Sequence, residues 1–78
     1  MEKIYKVKKA DGTVCEMTYS DVCKALGFVP EIEFVKVTNA GTISYYAGKP
    51  SEIKALYRAV KNNGLVPTKA LANICKYL

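Results

Sequence analysis

The chain has no histidine and no tryptophan, and only three of its 78 residues are cysteines. Histidine is the most frequent general acid or base near neutral pH, so its absence removes the usual partner of a nucleophile. Structural zinc needs four Cys or His ligands, which three scattered cysteines cannot supply. Glu31 and Glu33 alternate on a predicted strand and would point the same way, but no other catalytic groups accompany them. We therefore predict that the protein is not an enzyme and that it has no catalytic residue and no metal site.

Long apolar runs and glycine-rich phosphate motifs are missing as well. No stretch approaches the roughly 18 apolar residues of a membrane span, and the first six residues continue into further lysines rather than a signal peptide core. Neither GxGxxG nor the P-loop pattern occurs, so no cofactor is expected. The three cysteines, Cys15, Cys23 and Cys75, occupy apolar-periodic positions, which is typical of a reducing compartment. These features predict a cytoplasmic protein with no membrane partner, and the apolar positions of Cys23 and Cys75 predict inert thiols.

The sequence has enough residues for one core and an excess of positive charge. A length of 78 residues predicts a single domain over 1–78, because two independent cores need roughly 100 residues or more. Twelve Lys and Arg against seven Asp and Glu give a net charge of +5. This charge favours phosphate backbones or acidic protein surfaces as partners. The alternative is that the charge only keeps the protein soluble.

Alternation of polar and apolar residues over 3–9 and 13–19 predicts a β-hairpin. A two-residue turn would place lysines on the apolar face, whereas a three-residue loop pairs Val7 with Cys15. Such a loop ends in a glycine bulge, which requires a positive φ at Gly12.

A second hairpin is predicted over 32–38 and 42–47, and the same argument applies to its loop at 39–41. The three-residue loop places Val37 opposite Ile43 on one face, while Phe34 lies opposite Tyr46 on the other.

Three helices complete the pattern. Ser20 and Ser51 are the candidate N-caps of the first two, Gly27 and Gly64 end them, and Pro67 with Thr68 opens the third. The order ββα-ββα-α predicts a small α+β fold, in which an antiparallel sheet of two hairpins carries helices packed on one face. The similar hairpin loops and helix starts also suggest a weak internal ββα repeat, although turns and caps share such residues generally.

One candidate binding surface is the sheet face that the helices would leave open. If all four strands join one sheet, that face carries Lys6, Lys8, Phe34, Lys36 and Tyr46. Aromatic rings bordered by lysines suit the stacking of unpaired bases and the binding of their phosphates. The alternative is that the third helix or a second copy of the chain covers these rings as ordinary core.

The second candidate surface is a basic stripe on the longest helix. Lys54, Arg58 and Lys61 fall at positions i, i+4 and i+7, although a charged outer face is also common on solvated helices.

The last two helices resemble a helix-turn-helix in order. Their connection is longer than its usual tight turn, and Asn73 falls where that motif needs an apolar residue.

These surfaces favour a small basic binding module, with nucleic acid as the first hypothesis for its partner. The alternative is a small protein-binding regulator or inhibitor, of the accessory kind encoded by mobile elements, that occludes an acidic surface of a larger protein. A homodimer joined through the open face is compatible with either hypothesis.

Overall fold

Two antiparallel hairpins and three α-helices form in the part of the chain that the structure describes. The computed structural model describes residues 3–46 and 48–78. The strands are β1 Ile4–Lys8, β2 Val14–Thr18, β3 Val35–Val37 and β4 Ile43–Tyr45, and the helices are α1 Tyr19–Leu26, α2 Pro50–Asn62 and α3 Lys69–Cys75. The small α+β class and the ββα-ββα-α order are confirmed. Ala47, where the second hairpin was predicted to end, lies outside the described residues, as do Met1 and Glu2.

Both hairpins have the registers that their loops predict. Val7 pairs with Cys15 in the first hairpin, and β3 pairs with β4 as expected in the second. The glycine that ends each loop has a positive φ, 93° at Gly12 and 83° at Gly41. Local alternation and loop length are therefore sufficient to set the strand pairing within each hairpin.

The two hairpins do not form one four-stranded sheet. Within the described residues, β1 pairs only with β2 and β3 only with β4. The tip of the second hairpin instead packs against β1, where the amide of Lys8 donates a hydrogen bond of 2.9 Å to the carbonyl of Gly41. The segment before α3 also bonds to β4, since the amide of Ile43 donates to the carbonyl of Val66 at 2.8 Å. Because this segment forms bridges to both hairpins, α2 and α3 are not joined by the tight turn of a helix-turn-helix.

Helices α1 and α2 begin earlier than predicted. The cap of α1 is Thr18 rather than Ser20, because the Thr18 Oγ1 accepts a hydrogen bond of 3.2 Å from the amide of Asp21. Helix α2 begins before Ser51, with Lys49 at its N-cap position. A proline at the first position of α2 suits this start, since its missing N–H would have had no helical partner.

One cluster of buried side chains lies between the hairpins and the helices. Strands β1, β3 and β4 and all three helices contribute to it: Val7, Val22, Cys23, Leu26, Phe34, Val35, Ile43, Ile53, Leu56, Val60, Leu65 and Leu71. Cys23 is 1% exposed, and burial raises the pKa of its thiol. This thiol is therefore buried and less acidic than a free cysteine, as its position in the apolar stripe predicts.

Candidate functional site

Helix α2 divides into a buried apolar side and an exposed basic side. Three of its apolar side chains are at most 4% exposed and lie in the core: Ile53, Leu56 and Val60. Its cationic side chains are all exposed: Lys54, Arg58 and Lys61. Burial of one stripe fixes the rotation of the helix about its axis, so the basic stripe is turned to the surface.

The basic stripe forms one wall of a groove of about 420 Å³ between α2 and the end of α3. We call this the basic groove, and its lining residues are Lys54, Tyr57, Arg58, Lys61, Asn62 and Cys75. The Lys61 Nζ lies 5.4 Å from the centroid of the half-buried Tyr57 ring, within the range of a cation-π contact. No carboxylate is among these lining residues, so the groove is a region of positive potential.

A second groove of about 460 Å³ brings together three tyrosines from distant parts of the chain. We call it the tyrosine groove, and its lining residues are Tyr5, Tyr19, Glu33 and Tyr46. The rings of Tyr5 and Tyr19 lie 6.3 Å apart between centroids and are inclined by 56°. Two lysines contact its rings, because Lys3 Nζ lies 5.3 Å from the centroid of Tyr5 and Lys36 Nζ lies 5.6 Å from that of Tyr46.

Tyr19 is fixed in this groove by its hydroxyl group. The hydroxyl donates a hydrogen bond of 2.6 Å to the carbonyl oxygen of Val35, which ties the first residue of α1 to β3. Burial, together with the nearby Cys23 thiol, raises the pKa of Tyr19, so the hydroxyl remains a donor at neutral pH. The ring therefore has one defined position in the wall of the groove.

Glu33 enters the tyrosine groove from a left-handed backbone conformation. It follows a short 3-10 helix, Pro30–Ile32, and its φ is 55°. This conformation costs a non-glycine residue roughly 1–2 kcal/mol. The prediction that Glu31 and Glu33 alternate on a strand is wrong, because Glu31 lies in the 3-10 helix and the left-handed turn ends it.

The prediction that the Phe34 ring faces solvent is also wrong. Phe34 is 4% exposed, and its ring centroid lies 5.2 Å from that of Phe28 and 6.4 Å from that of Tyr45. Gly48 allows this packing, since a Cβ atom there would overlap the Phe34 ring. The turn immediately before Phe34 removes it from the alternation of β3. Tyr46, by contrast, reaches solvent as predicted, with 52% of its surface exposed.

The two lysines predicted on β1 line neither groove. Lys6 and Lys8 are exposed on the side of β1 opposite the buried Val7. Lys6 lines a third, smaller depression of about 290 Å³ beside the loop of the second hairpin, and Lys8 lines none of the three. The predicted site residues therefore do not form one surface. The three cations of α2 line the basic groove, Lys36 contacts Tyr46 at the tyrosine groove, and Phe34 is buried in the core.

Sequence reasoning missed several groove residues because it assigned them to the core or to a strand. The period-2 alternation of the first hairpin places Tyr5 on the same face as Val7, and helical spacing places Tyr57 beside Leu56 and Val60, so both are expected in the core, but each is only partly buried. The chain has six tyrosines and only two phenylalanines, and this ratio was the available signal. A tyrosine ring with a polar end is suited to the edge of a groove rather than to the centre of a core.

No family model, curated protein or solved structure matches this chain. Among residues 3–46 and 48–78, no group of three His, Cys, Asp or Glu side chains is placed to hold a metal ion. In the same part of the chain, no helix has the length and apolar character required to cross a membrane.

Proposed function

We propose that this protein is a non-catalytic binding module that binds nucleic acid through the basic groove. The observation that carries the proposal is the set of three cations, Lys54, Arg58 and Lys61, that line one concavity without a carboxylate. They belong to a chain with a net charge of +5, which attracts phosphate backbones over the whole surface.

The spacing of the three cations favours a chain of phosphates over a single small anion. Lys54 and Arg58 are about 6 Å apart along the helix axis, and Lys61 lies about 4.5 Å farther along. A row of cations suits a polyanion, because each cation can neutralise a different phosphate. A single anion would be better held by groups that converge on one point.

Aromatic rings next to cations, one in each groove, favour unpaired bases. Tyr57 lies within the basic groove next to Lys61, and the exposed Tyr46 lies next to Lys36 at the tyrosine groove. Rings interleaved with cations let a protein stack bases and bind phosphates along the same strand. We therefore expect single strands to bind more tightly than duplexes of the same length.

A salt titration tests the proposal. Fluorescence anisotropy of labelled single-stranded and duplex oligonucleotides is measured at increasing NaCl concentrations. Three phosphate contacts on a single strand predict a slope of log K against log[NaCl] of about −2. Weak binding with no salt dependence would overturn the proposal, because no counterions would then be released.

A second candidate function is supported by apolar side chains near the 3-10 helix. Val29 is 53% exposed and Ile32 is 65% exposed, and both lie on the segment that leads into the tyrosine groove. Exposed apolar side chains on one segment are a feature of protein-binding surfaces, as a regulator of a larger protein requires.

Affinity capture from a nuclease-treated lysate tests this second function. A stoichiometric protein partner that survives nuclease and is lost with Ile32→Ser would support it. Ile4→Ser is the matched control, because Ile4 is 62% exposed but lies on β1. Capture that disappears after nuclease treatment would count against a protein partner.

A further inference from the structure

We infer that the tyrosine groove is a base-binding pocket that selects guanine in a single strand, an inference that rests on the proposed function. The groove has a volume of about 460 Å³, which is within the range of small-ligand pockets. It combines three aromatic rings, one carboxylate and two lysines at its rings. Each of these components corresponds to one part of a nucleotide.

The rings provide the stacking surface. Tyr46 is half exposed, so a base can cover its free surface without displacing any core residue. The rings of Tyr5 and Tyr19 are inclined by 56° and do not stack on each other. A planar base therefore finds aromatic walls whose surfaces are not already used in a parallel stack.

The carboxylate of Glu33 provides the selection among bases. An ionised carboxylate only accepts hydrogen bonds, so it favours a base edge that presents donors. Guanine presents two adjacent donors on its Watson–Crick edge, N1–H and the N2 amino group. Adenine and cytosine each present one amino donor beside a ring nitrogen acceptor, and uracil presents one donor between two carbonyl oxygens. The two carboxylate oxygens can pair with both donors only in guanine.

The lysines favour a ligand that carries a phosphate. Lys3 and Lys36 each contact one of the groove tyrosines, and they supply two positive charges against the single negative charge of Glu33. A cationic ligand, such as a methylated ammonium group, would be repelled by this excess. The left-handed backbone of Glu33 is consistent with a functional position, because such strain persists where a side chain must be held in place.

Oligonucleotides that differ at one base test the inference. Each has about 12 nucleotides, within the usual site size of single-strand binders, and carries guanine, adenine or cytosine at the centre of a uridine tract. We expect the guanine oligonucleotide to bind about tenfold more tightly than the others, near the lower end of what a bidentate base contact provides. The variant Glu33→Gln is expected to reduce this preference to about twofold or less while the salt dependence is retained.

Four further variants separate base selection from effects on folding and on total charge. Glu31→Gln removes the same charge from a neighbouring exposed residue that does not line the groove, and it should retain the preference. Glu33→Gly relieves the left-handed strain, so it should fold at least as well and still lose the preference. Tyr46→Ala should weaken guanine binding by about fivefold or more, whereas Tyr77→Ala, at an 88% exposed position outside the groove, should not.

The outcomes distinguish the two proposals. Equal, salt-dependent binding of all three oligonucleotides would overturn the guanine pocket and leave the basic groove proposal standing. Retention of the guanine preference in both Glu33 variants would also overturn the pocket. Absence of salt-dependent binding to any oligonucleotide would overturn the proposed function itself. Binding of tetramethylammonium that Glu33→Gln abolishes, without any guanine preference, would instead identify a cation site and overturn the inference.

Discussion

The carbonyl oxygen of Gly41 accepts a hydrogen bond of 2.9 Å from the backbone amide of Lys8, and this contact holds the tip of the second hairpin against β1. An added Cβ at Gly41 would lie 2.6 Å from the carbonyl oxygen of Lys6 and 2.8 Å from the amide nitrogen of Lys8. At Gly12, the equivalent position of the first hairpin, the same added atom meets nothing within 4 Å. The two loops therefore share a backbone conformation but not an environment, and only Gly41 is also required by packing.

The two glycines give a matched test of this junction. Gly12→Ala should lower the free energy of unfolding by about 1–2 kcal/mol, which is the cost of a left-handed alanine. Gly41→Ala should cost about 3 kcal/mol or more, since overlap with the backbone of β1 is added to the same strain. Urea unfolding of both variants measures the difference. Equal losses would contradict the packing of the second hairpin on β1.

Phe34 and Tyr46 were predicted to act together, but the structure gives them different roles. Phe34→Ala should destabilise the fold by about 3–5 kcal/mol, as expected for a buried aromatic ring. Tyr46→Ala should change the free energy of unfolding by less than about 1 kcal/mol, because half of the side chain is already in water. Thermal unfolding of the two variants tests this assignment. A stable Phe34→Ala variant would contradict the burial of that ring.

The raised pKa of Tyr19 predicts that the free energy of unfolding decreases at alkaline pH. Its pKa is raised in the folded state, first by burial, so an unfolded chain ionises near pH 10 while the folded chain still holds the proton. The stabilisation is therefore complete below about pH 10 and decreases as the pH rises toward the folded pKa. Tyr19→Phe should cost about 1 kcal/mol at neutral pH through loss of the hydrogen bond to Val35.

Unfolding curves of the wild type and Tyr19→Phe, measured from pH 7 to about pH 11, test this linkage. The stability difference between the two proteins should shrink above about pH 10. A constant or widening difference would indicate that the Tyr19 hydroxyl is not protected in the folded state.

Local patterns in the sequence were sufficient to predict the four strands, the three α-helices and the pairing within each hairpin, but not the 3-10 helix Pro30–Ile32. The hairpin registers follow from alternation and from loop length, which act over a few residues. The basic stripe of α2 follows from helical periodicity and from the apolar stripe on its opposite side. Each of these inferences uses residues that are close together in the chain, and each is confirmed by the structure.

The relation between the two hairpins was not predictable from such patterns. It depends on a contact between Gly41 and the backbone of β1, which no alternation or cap reveals. The tyrosine groove also depends on contacts between distant parts of the chain, since its rings come from β1, the start of α1 and the end of the second hairpin. The left-handed conformation of Glu33 could not be predicted either, because residues with a positive φ are usually glycines.

If the cations of the basic groove contact phosphates, removing them should reduce the salt dependence of binding, which paired charge variants measure. Lys54→Gln with Arg58→Gln removes two cations from the groove, while Lys24→Gln with Lys69→Gln removes two exposed cations that line neither groove. The salt dependence of single-strand binding is measured for both double variants and for the wild type. We predict that the groove variant loses about 1.4 from the magnitude of the slope, about 0.7 for each cation, and that the control retains the wild-type slope. Equal slopes for the two double variants would contradict these phosphate contacts, because binding would then depend only on total charge.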